Sequence, residues 1–108
     1  MLEYYTHKYN ERFKRNLSNT INYICRVIKN ISAAEALLNE VEHEIAERSK
    51  SPKITKPIFI GEYSKEKIYK LKIRNFYVLY KLNETKKIML CIDFIYSRCD
   101  FDKYKAKY

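Results

Sequence analysis

Between Lys8 and Lys29 the apolar residues return at every third or fourth position, as Phe13, Leu17, Ile21, Ile24, Cys25 and Ile28. That spacing predicts an amphipathic helix. Its other side is basic, through Arg12, Lys14, Arg15, Arg26 and Lys29. Asn30-Ile31 leaves almost no length for a connection, and Ser32 followed by Glu35 has the pattern of a capping box, so a second helix is expected to start there. Ala34, Leu38, Val41 and Ile45 form its apolar stripe, and Glu35, Glu40, Glu42, Glu44 and Glu47 its acidic outer side. Two helices joined so tightly return antiparallel, as a hairpin. Pro52 stops the run. Ahead of the first helix, Leu2 to Thr6 alternates weakly and reads as a short edge strand.

From Lys67 onward the period changes from near four to two. Tyr69, Leu71 and Ile73 alternate with Lys70 and Lys72. Phe76, Val78, Tyr80 and Leu82 then alternate with Tyr77, Leu79 and Lys81. After a turn at Asn83 to Lys86, Ile88, Leu90, Ile92, Phe94 and Tyr96 alternate with Met89, Cys91, Asp93, Ile95 and Ser97. Such short joints predict three strands paired as an antiparallel meander. Ser49 to Glu66 reads as a loop pinned by Ile54, Ile58, Phe59 and Ile60. The helical hairpin is the cover available for the apolar sheet face, which leaves the other face more polar and open. The expected architecture is α+β, in the order β-α-α-β-β-β, with an N-terminal helical hairpin packed on one face of an antiparallel sheet. At 108 residues it forms a single domain, 1–108.

Charge adds direction to this picture. The chain carries +9 at neutral pH, with twelve Lys and Arg against five Asp and Glu from Lys65 to Tyr108. That balance favours a nucleic acid, an anionic surface or an acidic protein as partner. Cys25, Cys91 and Cys99 are odd in number and widely spaced, which argues for reduced thiols in a cytoplasm. Cys25 and Cys91 fall on apolar faces and read as small core residues. His7 and His43 have no partner at ligand spacing, so no metal and no cofactor is expected. No run approaches the length of a membrane span or a signal peptide, so a soluble cytoplasmic protein is expected.

The candidate chemistry sits at the C-terminal end. Lys70 and Lys72 lie two apart on a strand, so both project to one side, about 6–7 Å apart, a spacing suited to phosphate. Arg74 stands at that strand's end, Lys81 on the next strand, and Arg98 just past the last one, with Asp100 placed to hold it. Tyr104 follows in the tail, where Lys103, Lys105 and Lys107 add field strength. Tyr63, Tyr69, Tyr77 and Tyr96 are candidates to stack on unpaired bases. Lysines on a sheet face are equally at home as solvated residues that discourage edge aggregation. The chain contains no Ser-His-Asp arrangement and no clustered carboxylates near these positions. The reaction that suits such a face is RNA strand scission, in which the 2′-hydroxyl is the internal nucleophile. The protein then has only to position it, neutralise the phosphorane and move protons.

The order of elements and these residues together resemble the RelE/ParE superfamily of bacterial toxins from type II toxin–antitoxin modules, also called plasmid stabilisation proteins. The resemblance covers nearly the whole chain. INYICRVIKNISAAEALLNEVEHEI looks like the family's helical hairpin, and YKLKIRNFYVLYKLNETKKIMLCIDFIYSRCDFDKY looks like its basic strand, aromatic strand, apolar strand and terminal arginine motif. The RelE branch implies growth inhibition by an mRNA interferase, a metal-independent endoribonuclease acting at the ribosome. In that branch Lys70, Lys72, Arg98 and Tyr104 match the catalytic positions. Arg74, Tyr77, Lys81 and Lys103 are expected to bind RNA. The ParE branch implies instead inhibition of DNA gyrase without nuclease activity, and a toxin remnant would act as a binding module. All toxin readings imply a cognate antitoxin protein. The sequence departs from the ribonuclease pattern at Tyr77, where arginine is common, and at Cys99, where many relatives repeat arginine.

Overall fold

The computed structural model describes residues 4–60 and 65–98. Its elements run β1 (Thr6–Tyr9), α1 (Glu11–Arg26), α2 (Ile31–Arg48), β2 (Phe59–Ile60), β3 (Lys67–Ile73), β4 (Phe76–Asn83) and β5 (Ile88–Tyr96). They build one five-stranded sheet in the order β1-β5-β4-β3-β2. The expected meander is present, with β3 antiparallel to β4 and β4 antiparallel to β5. The first strand differs from expectation in position and direction. It spans Thr6–Tyr9 rather than Leu2 to Thr6, and it pairs parallel with β5, from Thr6 against Ile88 to Tyr9 against Cys91. The helical hairpin is the crossover that makes this parallel pairing possible. The segment read as a loop also holds one short strand, β2, paired antiparallel with β3 through Phe59–Ile68 and Ile60–Lys67.

Asparagine, not serine, starts both helices. Asn10 Oδ1 accepts from the Phe13 amide at 2.9 Å, and Asn30 Oδ1 accepts from the Ala33 amide at 3.0 Å. The second cap lies two residues before the expected Ser32, because Asn ranks with Ser as an N-cap and is reached first. α1 ends at Arg26, and Lys29 takes a left-handed conformation (φ 59°) that turns the chain back. Ile28 therefore leaves the helical stripe and is exposed. On α2 the buried line is Ala34, Leu37, Val41 and Ile45. Leu38, expected in Leu37's place, is half-buried at the edge of that line.

The main core lies between the hairpin and one sheet face. Phe13, Leu37, Val41 and Ile45 meet Tyr69, Leu71, Ile73, Val78, Tyr80, Met89, Cys91 and Phe94. The opposite face is less open than its pattern suggests. Ile68, Leu79, Ile92 and Ile95 form a second buried cluster, with Ile58, Phe59, Tyr77 and Leu90 packed against it. Ile58 and Phe59, two of the four residues expected to pin the loop, supply part of this cover, whereas Ile54 and Ile60 are exposed.

β5 also breaks its own alternation. Its register jumps from Leu79↔Asp93 to Tyr80↔Cys91, so Ile92 is an extra residue, a β-bulge. Met89 and Cys91 face the helices, Leu90, Ile92 and Ile95 face away, and Phe94 returns to the helix side. The buried Asp93 accepts from Asn16 Nδ2 on α1 at 2.6 Å and from the Phe94 amide at 2.9 Å. A carboxylate thus satisfies the amide that the bulge displaces and ties β5 to α1.

Candidate functional site

β3 carries Lys70 and Lys72 on the face turned away from the helices, as the alternation requires, with Lys70 half-buried and Lys72 exposed. Tyr77 on β4 stands directly across from Lys72 and diagonally from Lys70. The Lys70 ammonium lies 4.7 Å from the Tyr77 ring centroid, a cation–π contact. Ile95 on β5 continues the row beyond Tyr77. The Ser97 amide donates to the Asn75 carbonyl at 2.7 Å, which ties the end of β5 to the β3–β4 hairpin. Arg98 follows it directly and is exposed at that same end of the sheet. Lys70, Lys72 and Tyr77 thus share one face of the sheet, and Arg98 follows its last strand.

The remaining sequence candidates separate. Arg74, in the β3–β4 turn with φ 53°, donates from Nε to Glu40 Oε2 of α2 at 2.5 Å, so it is engaged on the helix side. Lys81 lies towards the other end of β4, and its Nζ donates to Glu66 Oε2 at 2.7 Å. Tyr69 is buried against the hairpin and stacks on Tyr80, with centroids 5.3 Å apart, which removes it as a base-stacking residue. Tyr96 packs edge-on to Phe76 of the helix-facing cluster. Tyr63, Cys99, Asp100, Lys103, Tyr104, Lys105 and Lys107 lie outside the described residues. The sequence reading missed Glu40 and Glu66 as the carboxylates that hold Arg74 and Lys81. Their opposite charge was the available signal, but nothing in a one-dimensional pattern pairs positions 34 or 15 residues apart.

The site is held rigidly from behind. Arg48, at the end of α2, donates from Nη1 to the Lys70 carbonyl at 3.2 Å and to the Tyr80 hydroxyl at 3.0 Å. The Tyr80 hydroxyl donates in turn to the Pro52 carbonyl at 2.7 Å. β2 covers β3 only at Lys67 and Ile68, so Arg48 satisfies the outer edge where that cover stops. Burial pushes the Tyr80 hydroxyl above the ordinary phenol range, with the Arg48 guanidinium opposing it. An anionic oxygen placed over this face of β3 would meet two ammonium groups beside an aromatic ring. Ammonium groups so placed are suited to a phosphate.

No family model matches the sequence, and no curated protein matches it. Solved structures do match. The RelBE2 toxin–antitoxin complex from Mycobacterium tuberculosis contains a chain at TM-score 0.59 and 14% identity, over 87% of this chain and 99% of that one. The chromosomal ParDE toxin–antitoxin system from P. aeruginosa gives TM-score 0.65 and 9% identity, over 85% and 95%. A double arginine-to-alanine mutant of the E. coli toxin RelE, in the free state, gives TM-score 0.61 and 15% identity, over 97% and 96%. A helical hairpin on a mostly antiparallel five-stranded sheet, matched over nearly full length in each case, means that this chain has the fold shared by the RelE and ParE structures.

Proposed function

We propose that the protein is the toxin of a toxin–antitoxin pair and cuts mRNA on the ribosome as a metal-independent endoribonuclease. The observation that carries this reading is the grouping of Lys70 and Lys72 around Tyr77 on the open face, with Arg98 just past the last strand. In this reading Lys70, Lys72 and Arg98 hold the scissile phosphate and stabilise the charge that grows on it as the 2′-hydroxyl attacks. Tyr77 stacks on a neighbouring base, and Tyr104 assists proton transfer. The antitoxin is a protein partner, a reading supported by the toxin–antitoxin complexes among the similar structures.

Primer extension on mRNA in a purified translation system tests the activity. Cuts within the translated frame are expected, with a loss of at least 100-fold in the Lys70→Ala, Lys72→Ala double variant. Intact mRNA beside a toxin that still arrests growth would reject the nuclease reading. A second reading, inhibition of DNA gyrase, is favoured by one residue. Tyr77 stands where the ribonuclease resemblance expects an arginine, and its ring takes up Lys70. A supercoiling assay with purified gyrase decides it. Unimpaired growth on overexpression would reject both and leave a binding module.

A further inference from the structure

The tip of the helical hairpin is left uncovered by the rest of the fold. Every residue from Arg26 to Ser32 is exposed, and Val27, Ile28 and Ile31 among them are aliphatic. Tyr23, one turn back on α1, adds its ring, and each of the four is more than half exposed. They make up half of the exposed large apolar side chains among the described residues. Apolar surface gathered in this way marks a binding patch. The charges set into it are of one sign. Arg26 and Lys29 are exposed and enter no ion pair among the described residues. Arg15, about three helical turns before Arg26, points to the same side of α1. Between Glu11 and Glu35 the chain has no acidic residue. The tip also bonds much of its own backbone. The Val27 and Ile28 amides donate to the Tyr23 carbonyl at 2.9 and 3.2 Å, and the Asn30 amide donates to the Ile24 carbonyl at 3.1 Å. Asn30 in turn accepts from the Ala33 amide with its side chain and from the Ala34 amide with its carbonyl.

From this arrangement we infer that the hairpin tip inserts into the headgroup layer of an anionic lipid surface. Val27, Ile28 and Ile31 reach the boundary of the acyl chains, Tyr23 sits at the interface, and Arg26, Lys29 and Arg15 meet lipid phosphates. The internal amide bonds matter here, because a backbone group taken out of water without a partner is costly. Among the described residues no helix is long and apolar enough to cross a membrane, so the contact is peripheral. A second copy docked tip to tip would set Arg26 and Lys29 against their own like charges. A nucleic acid would leave the aliphatic side chains without a use. A protein groove of matching charge is the alternative that the test separates. Lys70, Lys72 and Arg98 take no part, so the inference stands whether or not the nuclease reading does.

The test uses the full chain and sedimented vesicles of phosphatidylglycerol mixed equally with phosphatidylcholine, at near-physiological ionic strength. Vesicles of phosphatidylcholine alone are the control, and they should bind far less. Affinity for the anionic vesicles should fall about tenfold or more in a Val27→Ser, Ile28→Ser, Ile31→Ser triple variant. It should also fall about tenfold in an Arg26→Gln, Lys29→Gln double variant. The Lys70→Ala, Lys72→Ala variant should bind nearly as the native chain does. Circular dichroism and thermal melting of each variant confirm that it is folded. The chain has no tryptophan, so Tyr23→Trp supplies a single reporter. Its fluorescence should shift to the blue on anionic vesicles and be quenched by brominated acyl chains. Binding that survives the triple serine variant, or an unshifted Trp signal, would reduce the tip to a charge patch and overturn the inference. No binding to anionic vesicles would overturn it in favour of a protein groove. A dimer in sedimentation velocity without lipid, abolished by the triple variant, would overturn it in favour of a second copy.

Discussion

Arg48 and Tyr80 meet at 3.0 Å, guanidinium to hydroxyl, at the point where α2, the segment after it and the sheet come together. The hydroxyl's onward bond to the Pro52 carbonyl makes this a chain of three groups rather than a pair. Removing its middle member leaves a buried carbonyl and part of a guanidinium without their partner. Tyr80→Phe should therefore lower unfolding stability by about 1–3 kcal/mol. Urea unfolding measures this, and an unchanged midpoint would show that water replaces the hydroxyl without loss.

Asn16 performs a similar service for Asp93. Asn16→Ala strips the buried carboxylate of a 2.6 Å donor, with an expected loss of about 1–3 kcal/mol. Asn16→Asp should be worse at neutral pH, because it sets a second carboxylate against the first, and should recover as acid protonates one of them. A stability profile across acidic pH distinguishes the two variants.

The turn at Arg74 separates backbone from side-chain effects. Its φ of 53° disfavours any residue but glycine by roughly 1–2 kcal/mol, while its half-exposed pair with Glu40 contributes at most about 1 kcal/mol. Arg74→Ala and Arg74→Gly both lose the pair. The glycine variant should be the more stable of the two by about 1 kcal/mol, read from their urea midpoints.

High pH should destabilise the fold. Burial pushes the Cys91 thiol up to about 12 from 9.0, and it raises the Tyr80 and Tyr9 hydroxyls from 10.0. Each group keeps its proton in the folded chain after the unfolded chain has lost it. Their contribution is intact below pH 9 and falls as pH climbs from about 9 towards 12. Cys91→Val should flatten the start of that decline in a series of urea midpoints. In the same range the native thiol of Cys91 should resist alkylation.

Tyr77 offers a test of the phosphate-binding end that does not depend on cleavage. Tyr77→Leu removes the ring on which Lys70 rests, and Tyr77→Phe keeps it. If this end carries single-stranded RNA, oligouridylate affinity should fall about tenfold in the leucine variant and persist in the phenylalanine one. Equal affinity in both would remove stacking from the account.

Most of the architecture was legible in the chain, because two periodicities and one very short joint leave few ways to cover a sheet. The errors came where local patterns were degenerate. Asn30 and Ser32 are both good caps, and Leu37 and Leu38 both satisfy helical spacing. The bulge at Ile92 was hidden for a physical reason. Ile92, Phe94 and Ile95 are all apolar, so a slip of one residue leaves the hydrophobic pattern unchanged, and only the buried Asp93 marks it. At the site, Lys70 and Lys72 followed directly from alternation. The fates of Arg74 and Lys81 were set by distant carboxylates that no periodicity reports.

The parallel pairing of β1 with β5 joins the first described strand to the last. During synthesis on a ribosome, β1 and the hairpin emerge and wait, because the strand that must lie beside β1 follows all the other described strands. Folding then depends on a closure over about eighty residues, the kind of long-range contact that slows it. Lys70, Lys72 and Tyr77 sit in the local pairing of β3 with β4 and do not depend on that closure. The basic face can thus form while β1 still lacks its partner strand.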